Sequence, residues 1–244
     1  MLSNARRSLI NLYNMSFFSI AFLMLISMSY SQAQSTLSDG YINYSISVDS
    51  DEPAAAFLTM GSSLEIAFKG QKTKAVAKVA GGTNTVSLVA DHQSESGLSL
   101  MDVLGEKKAV KLEKSKFEEA EKELTQIGEN PMRLTDDTKT IAGYSCQKVL
   151  MKDKKSGANI VLYITSKIKP KGDPFAQLLI GEIKGFPLGI IVRKDGTTVK
   201  IMAEKVSART PSDAAFSLTI PSDYQLTTLE NLEKTAQKEI EKNR

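Results

Sequence analysis

The chain of 244 residues is 41% hydrophobic, 24% charged and 7% aromatic, which excludes a disordered, collagen-like or polytopic membrane protein. It carries 31 Lys and Arg against 28 Asp and Glu; Arg6 and Arg7 are the only charges in the first 33 residues, so the rest lies within one charge of neutrality, without the basic surplus of a nucleic-acid reader. A single Cys and a single His exclude an intramolecular disulfide, a zinc site built mainly from Cys and His, and a two-His metal motif.

In chain order, Arg6 and Arg7 precede an apolar run over residues 17–26, and small or polar residues follow, with Ser31 and Ala33 at the −3 and −1 positions of a cleavage site. This pattern describes a secretory signal peptide cleaved after Ala33, so that Gln34 begins the mature chain. The apolar run is shorter than the roughly 20 residues that span a bilayer, so no stable membrane span is expected after cleavage. The arginine pair stands too far ahead of the run for a twin-arginine signal. The only Cys is Cys146, which excludes a lipid-modified N-terminal cysteine. The expected location is periplasmic or extracellular. The expected organisation is a signal peptide over 1–33, one domain over 34–228 and a charged helix or tail over 229–244.

Residues 41–48 alternate, with Ile42, Tyr44, Ile46 and Val48 on one face of a half-buried strand. Pro53 opens a short helical segment over 53–58. Strands follow at 64–68, 74–79, 85–90, 98–101 and 108–112, and their even spacing and Gly-rich turns predict an antiparallel meander. The period then changes. Ser115 and Glu118 form a capping box, and Phe117, Ala120, Leu124 and Ile127 fall on one stripe that ends at Gly128. An amphipathic helix over 115–127 is expected to lie on the sheet.

Residues 143–151 and 159–164 predict a hairpin, and 173–179 a helical turn or two. Residues 186–192 and 198–203 flank Asp195-Gly196, a strong hairpin signal. A last strand is predicted over 216–220, before Pro221, and Leu229, Leu232, Ala236 and Ile240 mark a charged C-terminal helix. The fold class is α+β, mostly β: about eleven antiparallel strands in a sheet that must curl or close, with one amphipathic helix across it.

Several stretches, taken in order, resemble the exported Bacteroidetes proteins of unknown function that include the GLPGLI family. They are Tyr44 to Ile46, Leu64 to Gly70, Lys139 to Lys148 (Lys-Thr-Ile-Ala-Gly-Tyr-Ser-Cys-Gln-Lys), Gly185 to Ile190, and Phe216 to Tyr224. The resemblance covers most of residues 40–226. The stretch that names the GLPGLI family is absent, which leaves a neighbouring family equally open. The resemblance implies a relation to the LolA- and LolB-like lipoprotein carriers, incomplete antiparallel barrels with helices in or over the concave face. It implies no particular ligand-binding residue.

A half-barrel whose helix and loops leave its concave side unfilled would hold an apolar cavity, and Met101, Met132, Met151 and Met202 stand in or beside the predicted core segments. The leading expectation is therefore a non-catalytic cell-envelope protein that binds an apolar ligand or lipid-linked cargo, with a lipid or an acylated protein as partner. The alternative is a structural or partner-binding envelope protein with a self-filled concave face, and the third is a hydrolase of unknown type. No catalytic residue, metal ligand or cofactor is nominated. Cys146 falls in an alternating apolar strand and His92 in a polar turn, and nothing in the sequence joins them into a dyad. No Gly-x-Ser-x-Gly elbow is present. Asp49, Asp51 and Glu52, and Asp136 with Asp137, match no calcium-loop spacing and read as solvated turns.

Overall fold

The computed structural model describes residues 36–50, 59–119, 130–171, 185–232 and 234, all within the unit spanning 36–244. Twelve strands join into one open sheet. They are β1 (Gly40–Asp49), β2 (Ser63–Lys69), β3 (Lys72–Val79), β4 (Asn84–Asp91), β5 (Ser96–Val103), β6 (Glu106–Leu112), β7 (Met132–Ile141), β8 (Tyr144–Lys152), β9 (Asn159–Thr165), β10 (Phe186–Lys194), β11 (Thr197–Ser207) and β12 (Gln225–Thr227). Their order in the sheet is β12-β6-β5-β4-β3-β2-β1-β11-β10-β9-β8-β7. Two meanders, β1 to β6 and β7 to β11, are thus stitched together where β1 pairs antiparallel with β11. The connection after β6 carries the chain from one half of the sheet to the far edge at β7.

The sheet cannot be flat. Strands sit about 4.8 Å apart, so β2 and β7, six steps from each other, would be roughly 29 Å apart in a plane. Yet Phe68 of β2 and Ile141 of β7 belong to one buried cluster with Ile42, Tyr44, Cys146, Phe186 and Leu188. The Phe68 and Phe186 rings approach to 6.2 Å between centroids. The Tyr44 hydroxyl, on β1, donates to the Pro187 carbonyl of β10 at 2.9 Å and ties the curl across β11. Irregular register helps the strands bend. Glu204 is the extra residue of β11 against β1, and Leu188 that of β10 against β9. On β7 the interval from Leu134 to Thr138 faces only Val149 to Gln147 of β8.

Several sequence expectations change. The strand predicted over 216–220 does not form: Asp213–Phe216 is a 3-10 turn, and the residues after it join no ladder until β12. The alternation of Phe216 and Leu218 arises because this segment lies on the sheet, not in it; both pack with Ala67 and Val89. Lys69 to Asp213 at 2.9 Å and Lys107 to Asp223 at 2.8 Å pin the same segment. Strand β7 was missed because its Arg-Leu-Thr-Asp-Asp-Thr-Lys-Thr run is almost wholly exposed, as an edge strand is. With β7 and β12 gained and 216–220 lost, the count is twelve strands.

Residues 114–119 are helical. The helix starts before Ser115, where the Lys116 amide donates to Glu113 O at 2.9 Å, so Ser115 lies inside the first turn and not ahead of it. The rest of that helix, the signal peptide with its cleavage site, the segments at 53–58 and 173–179, and most of the C-terminal helix lie outside the described residues. The helix seen over 229–232 is capped where Thr228 Oγ1 accepts from the Asn231 amide at 3.2 Å.

Tyr44→Phe should cost about 1–3 kcal/mol, because it strands a buried carbonyl. Urea denaturation of the two proteins measures the difference.

Candidate functional site

The site follows from alternation and register. β3 reads Lys-Thr-Lys-Ala-Val-Ala-Lys-Val, which sends Lys72, Lys74 and Lys78 to one face and Ala75, Ala77 and Val79 to the other. Cross-strand partners share a face. Leu64, Ala77, Val86 and Met101 therefore form one row, and Ile66, Ala75 and Leu88 the next. Through Tyr44, paired to both Leu64 and Ala203, the same face continues into the other half. There Ile46, Ile201, Ile190, Leu162, Val149 and Leu134 make one row. Val48, Val199, Val192, Ile160, Met151 and Met132 make its neighbour. The apolar face thus runs across ten strands.

Burial along that face is uneven. Val149 and Leu162 are closed off in one cluster, and Ile42, Tyr44 and Phe68 in another. Between and beside them the side chains are only half-buried: Ile46, Val48, Val199, Ile201, Leu64, Ile66, Ala75, Ala77 and Met101. Val86 and Leu88 are 40% and 37% exposed, and Val103 46%. A band of side chains that should form a core is open to water. The opposite face carries Glu65, Lys72, Lys74, Lys78, Asp102 and Lys107, and is plugged by Phe216.

The helix stands at one end of the apolar band. Gly97 lies on that face opposite Ala90, and a Cβ there would sit 3.3 Å from the Phe117 ring and 2.8 Å from Val89 O. Gly97 is therefore what lets Phe117 rest against β5. Phe117 also meets the His92 ring edge-on at 6.0 Å.

No acid–base constellation forms on this band. His92 shares a hydrogen bond of 3.0 Å with Thr73 Oγ1. Cys146 is on β8, seven strands along the sheet from β4, which leads into His92. The thiol is fully buried, donates to Tyr144 O at 3.5 Å, and burial pushes its pKa up to about 11. A protonated, enclosed thiol is a poor nucleophile. Asp137 sits in the irregular stretch of β7, where hydrogen bonding to Lys148 at 2.9 Å holds its carboxyl below the usual range. Asp49 ends β1, while Asp51 and Glu52 lie outside the described residues. Among the described residues no group of three or more His, Cys, Asp or Glu could hold a metal ion.

Of the methionines singled out, Met101, Met132 and Met151 are on the apolar face, while Met202 flanks Gly189 on the other. A cleft of about 470 Å³ does exist, but it is polar and open. It lies between the β8–β9 and β10–β11 turns, lined by Ser156, Gly157, Asn159, Arg193, Lys194 and residues 195–198. The apolar site is a band on the sheet. Sequence reasoning had the strands that build the band except β7, but not which of their side chains stay uncovered.

No protein-family model and no curated protein matches the chain. Solved structures with a similar fold include PNGF-II, at 11% identity and TM-score 0.43 over 81% of this chain and 32% of that one. MucB, solved in complex with MucA(peri), is 10% identical with TM-score 0.42 over 78% of this chain and 57% of its own. LprF from Mycobacterium bovis is 14% identical with TM-score 0.34 over 77% and 90%. The chain spans about a third of PNGF-II and little more than half of MucB. Among the described residues no helix is long and apolar enough to cross a membrane.

The raised thiol pKa gives a signed pH dependence. The folded state holds Cys146 protonated up to about 11, whereas a solvent-exposed thiol ionises at 9.0. Stability from this group is present below the lower value and is lost as pH rises through the interval, by at most about 3 kcal/mol. Urea midpoints between pH 8 and 11 should fall less steeply in Cys146→Ala than in the parent, and a thiol reagent should label Cys146 only as the protein unfolds.

Proposed function

We propose that this protein is a non-catalytic binder of an apolar chain, a lipid or the acyl group of a lipid-linked cargo, and that it works in the cell envelope. The observation that carries this reading is the half-exposed band through Val86, Leu88, Met101, Leu64 and Ile201. It continues two buried clusters, so it combines a core's chemistry with a surface's access. Soluble proteins seldom leave such a contiguous patch uncovered without a use for it. Each methylene moved from water onto the band gains roughly 0.8 kcal/mol. An alkyl chain of ten would gain on the order of 8 kcal/mol, before association costs of about 4–15 kcal/mol. That balance suits reversible holding and release.

The envelope location rests on the charged, apolar and small-residue succession over residues 6–33, with release of the mature chain after Ala33. Membership of the GLPGLI-related exported proteins, with their carrier-like half-barrel, is part of the same proposal. It needs no cofactor or metal. The exposed apolar face also suits an acylated protein partner, whose lipid would use the same rows.

The test uses N-phenylnaphthylamine, a dye that brightens in apolar sites, with dodecanoate as competitor. The protein should enhance its emission, and dodecanoate should reverse the enhancement. Val86→Thr combined with Leu88→Thr keeps strand-compatible shapes at partly exposed sites, so stability should stay within about 1 kcal/mol. Affinity for the dye should drop about thirtyfold, since each substitution removes on the order of 1 kcal/mol of apolar contact. Unchanged dye binding in the double variant would rule out the band as the site.

A further inference from the structure

We propose that the polar cleft at the β8–β9 and β10–β11 turns binds a phosphate or similar anionic group, and that it receives the headgroup of the ligand whose chain lies on the apolar band. The second half of this statement rests on the function proposed above; the first does not.

Charge is the first reason. Away from residues 1–33 the chain is almost neutral, yet these two turns gather Lys152, Lys154, Lys155, Arg193 and Lys194 against only Asp153 and Asp195. Asp153 is engaged within its own turn, accepting from the Ser156 amide at 2.9 Å and the Lys155 amide at 3.3 Å, and from the Ser156 hydroxyl. Asp195 lies 3.8 Å from Lys194, a loose pairing between exposed groups. Among the described residues Arg193 forms no ion pair, and it lines the cleft.

Donor chemistry is the second. The cleft is also lined by Asn159, Thr198 and Thr197, whose hydroxyl shares a 3.4 Å hydrogen bond with Ser50 Oγ, and its two glycines, Gly157 and Gly196, are in left-handed turns at φ 75° and 76°. A guanidinium, an ammonium, hydroxyls and turn backbone around about 470 Å³ suit a tetrahedral oxyanion.

Position is the third. Arg193 pairs with Asn159 and Thr198 in the ladder. That row faces away from the band, but the next one, Lys194 with Thr197, shares the face of Val192 and Val199, the last row of the apolar band. Two residues along a strand span about 6.6 Å. A chain laid on the band toward this end would bring its polar terminus to the cleft.

The experiment titrates the intact mature protein with octyl phosphate, 1-octanol and inorganic phosphate, following the amide NMR signals of Gly157 and Gly196 and, separately, of Val86 and Leu88. Octyl phosphate should shift both sets and bind at least about tenfold tighter than octanol. Arg193→Gln with Lys194→Gln should abolish that advantage and leave octanol binding unchanged. Inorganic phosphate that moves only the glycine signals, with octanol inert, would keep the anion site and overturn the headgroup assignment together with the band reading. Octyl phosphate no tighter than octanol, with the glycine signals still, would overturn the cleft proposal and leave the band reading intact.

Discussion

An apolar face that runs across ten strands cannot stay flat in water, and the rest of the structure follows from that constraint. A sheet this wide exposes too much hydrocarbon unless it curls, and it curls here until β2 and β7 share one buried cluster. The extra residues Glu204 and Leu188 supply bends near the same end of the strands. Tyr44 then ties β1 to β10 through the Pro187 carbonyl. Closure remains partial: β7 and β12 are the free edges. What the curl does not bury is the band through Val86 and Leu88.

The two faces are treated differently by the chain. The charged face receives the segment after β11, with Phe216 plugged against Ala67 and Val89 and with Lys69 and Lys107 as ionic ties. Those ties are exposed and worth little individually; the aromatic plug supplies the burial. The apolar face receives Phe117 at the Gly97 end of β5. The division explains why a chain with a single, buried cysteine can rely on packing alone while keeping part of one face available.

Local periodicity made much of this legible. The alternation in Ile42, Tyr44, Ile46 and Val48, and in Ala75, Ala77 and Val79, already sorted the two faces before any pairing was known. Asp195-Gly196 announced its hairpin, and the switch of period at Ser115 announced a helix. What escaped depends on neighbours far along the chain. β7 is polar because it is an edge, and no window of its own residues says so. Phe216 and Leu218 alternate like a strand because both point at a sheet they do not join. Whether Val86 is covered depends on what lies over it, which pairing and periodicity leave open. The cationic cleft was invisible for the same reason: Ser156 and Gly157 line one cleft with Arg193 only when β9 pairs with β10.

The functional picture requires that the uncovered band meets hydrocarbon in the cell. Native mass spectrometry of the protein purified from its native cells without detergent, followed by solvent extraction and lipid analysis, addresses this directly. A bound species of alkyl-chain mass, lost on extraction and regained on adding lipid, is the predicted result. Protein that is bare when isolated and stays bare after incubation with envelope lipids would contradict it.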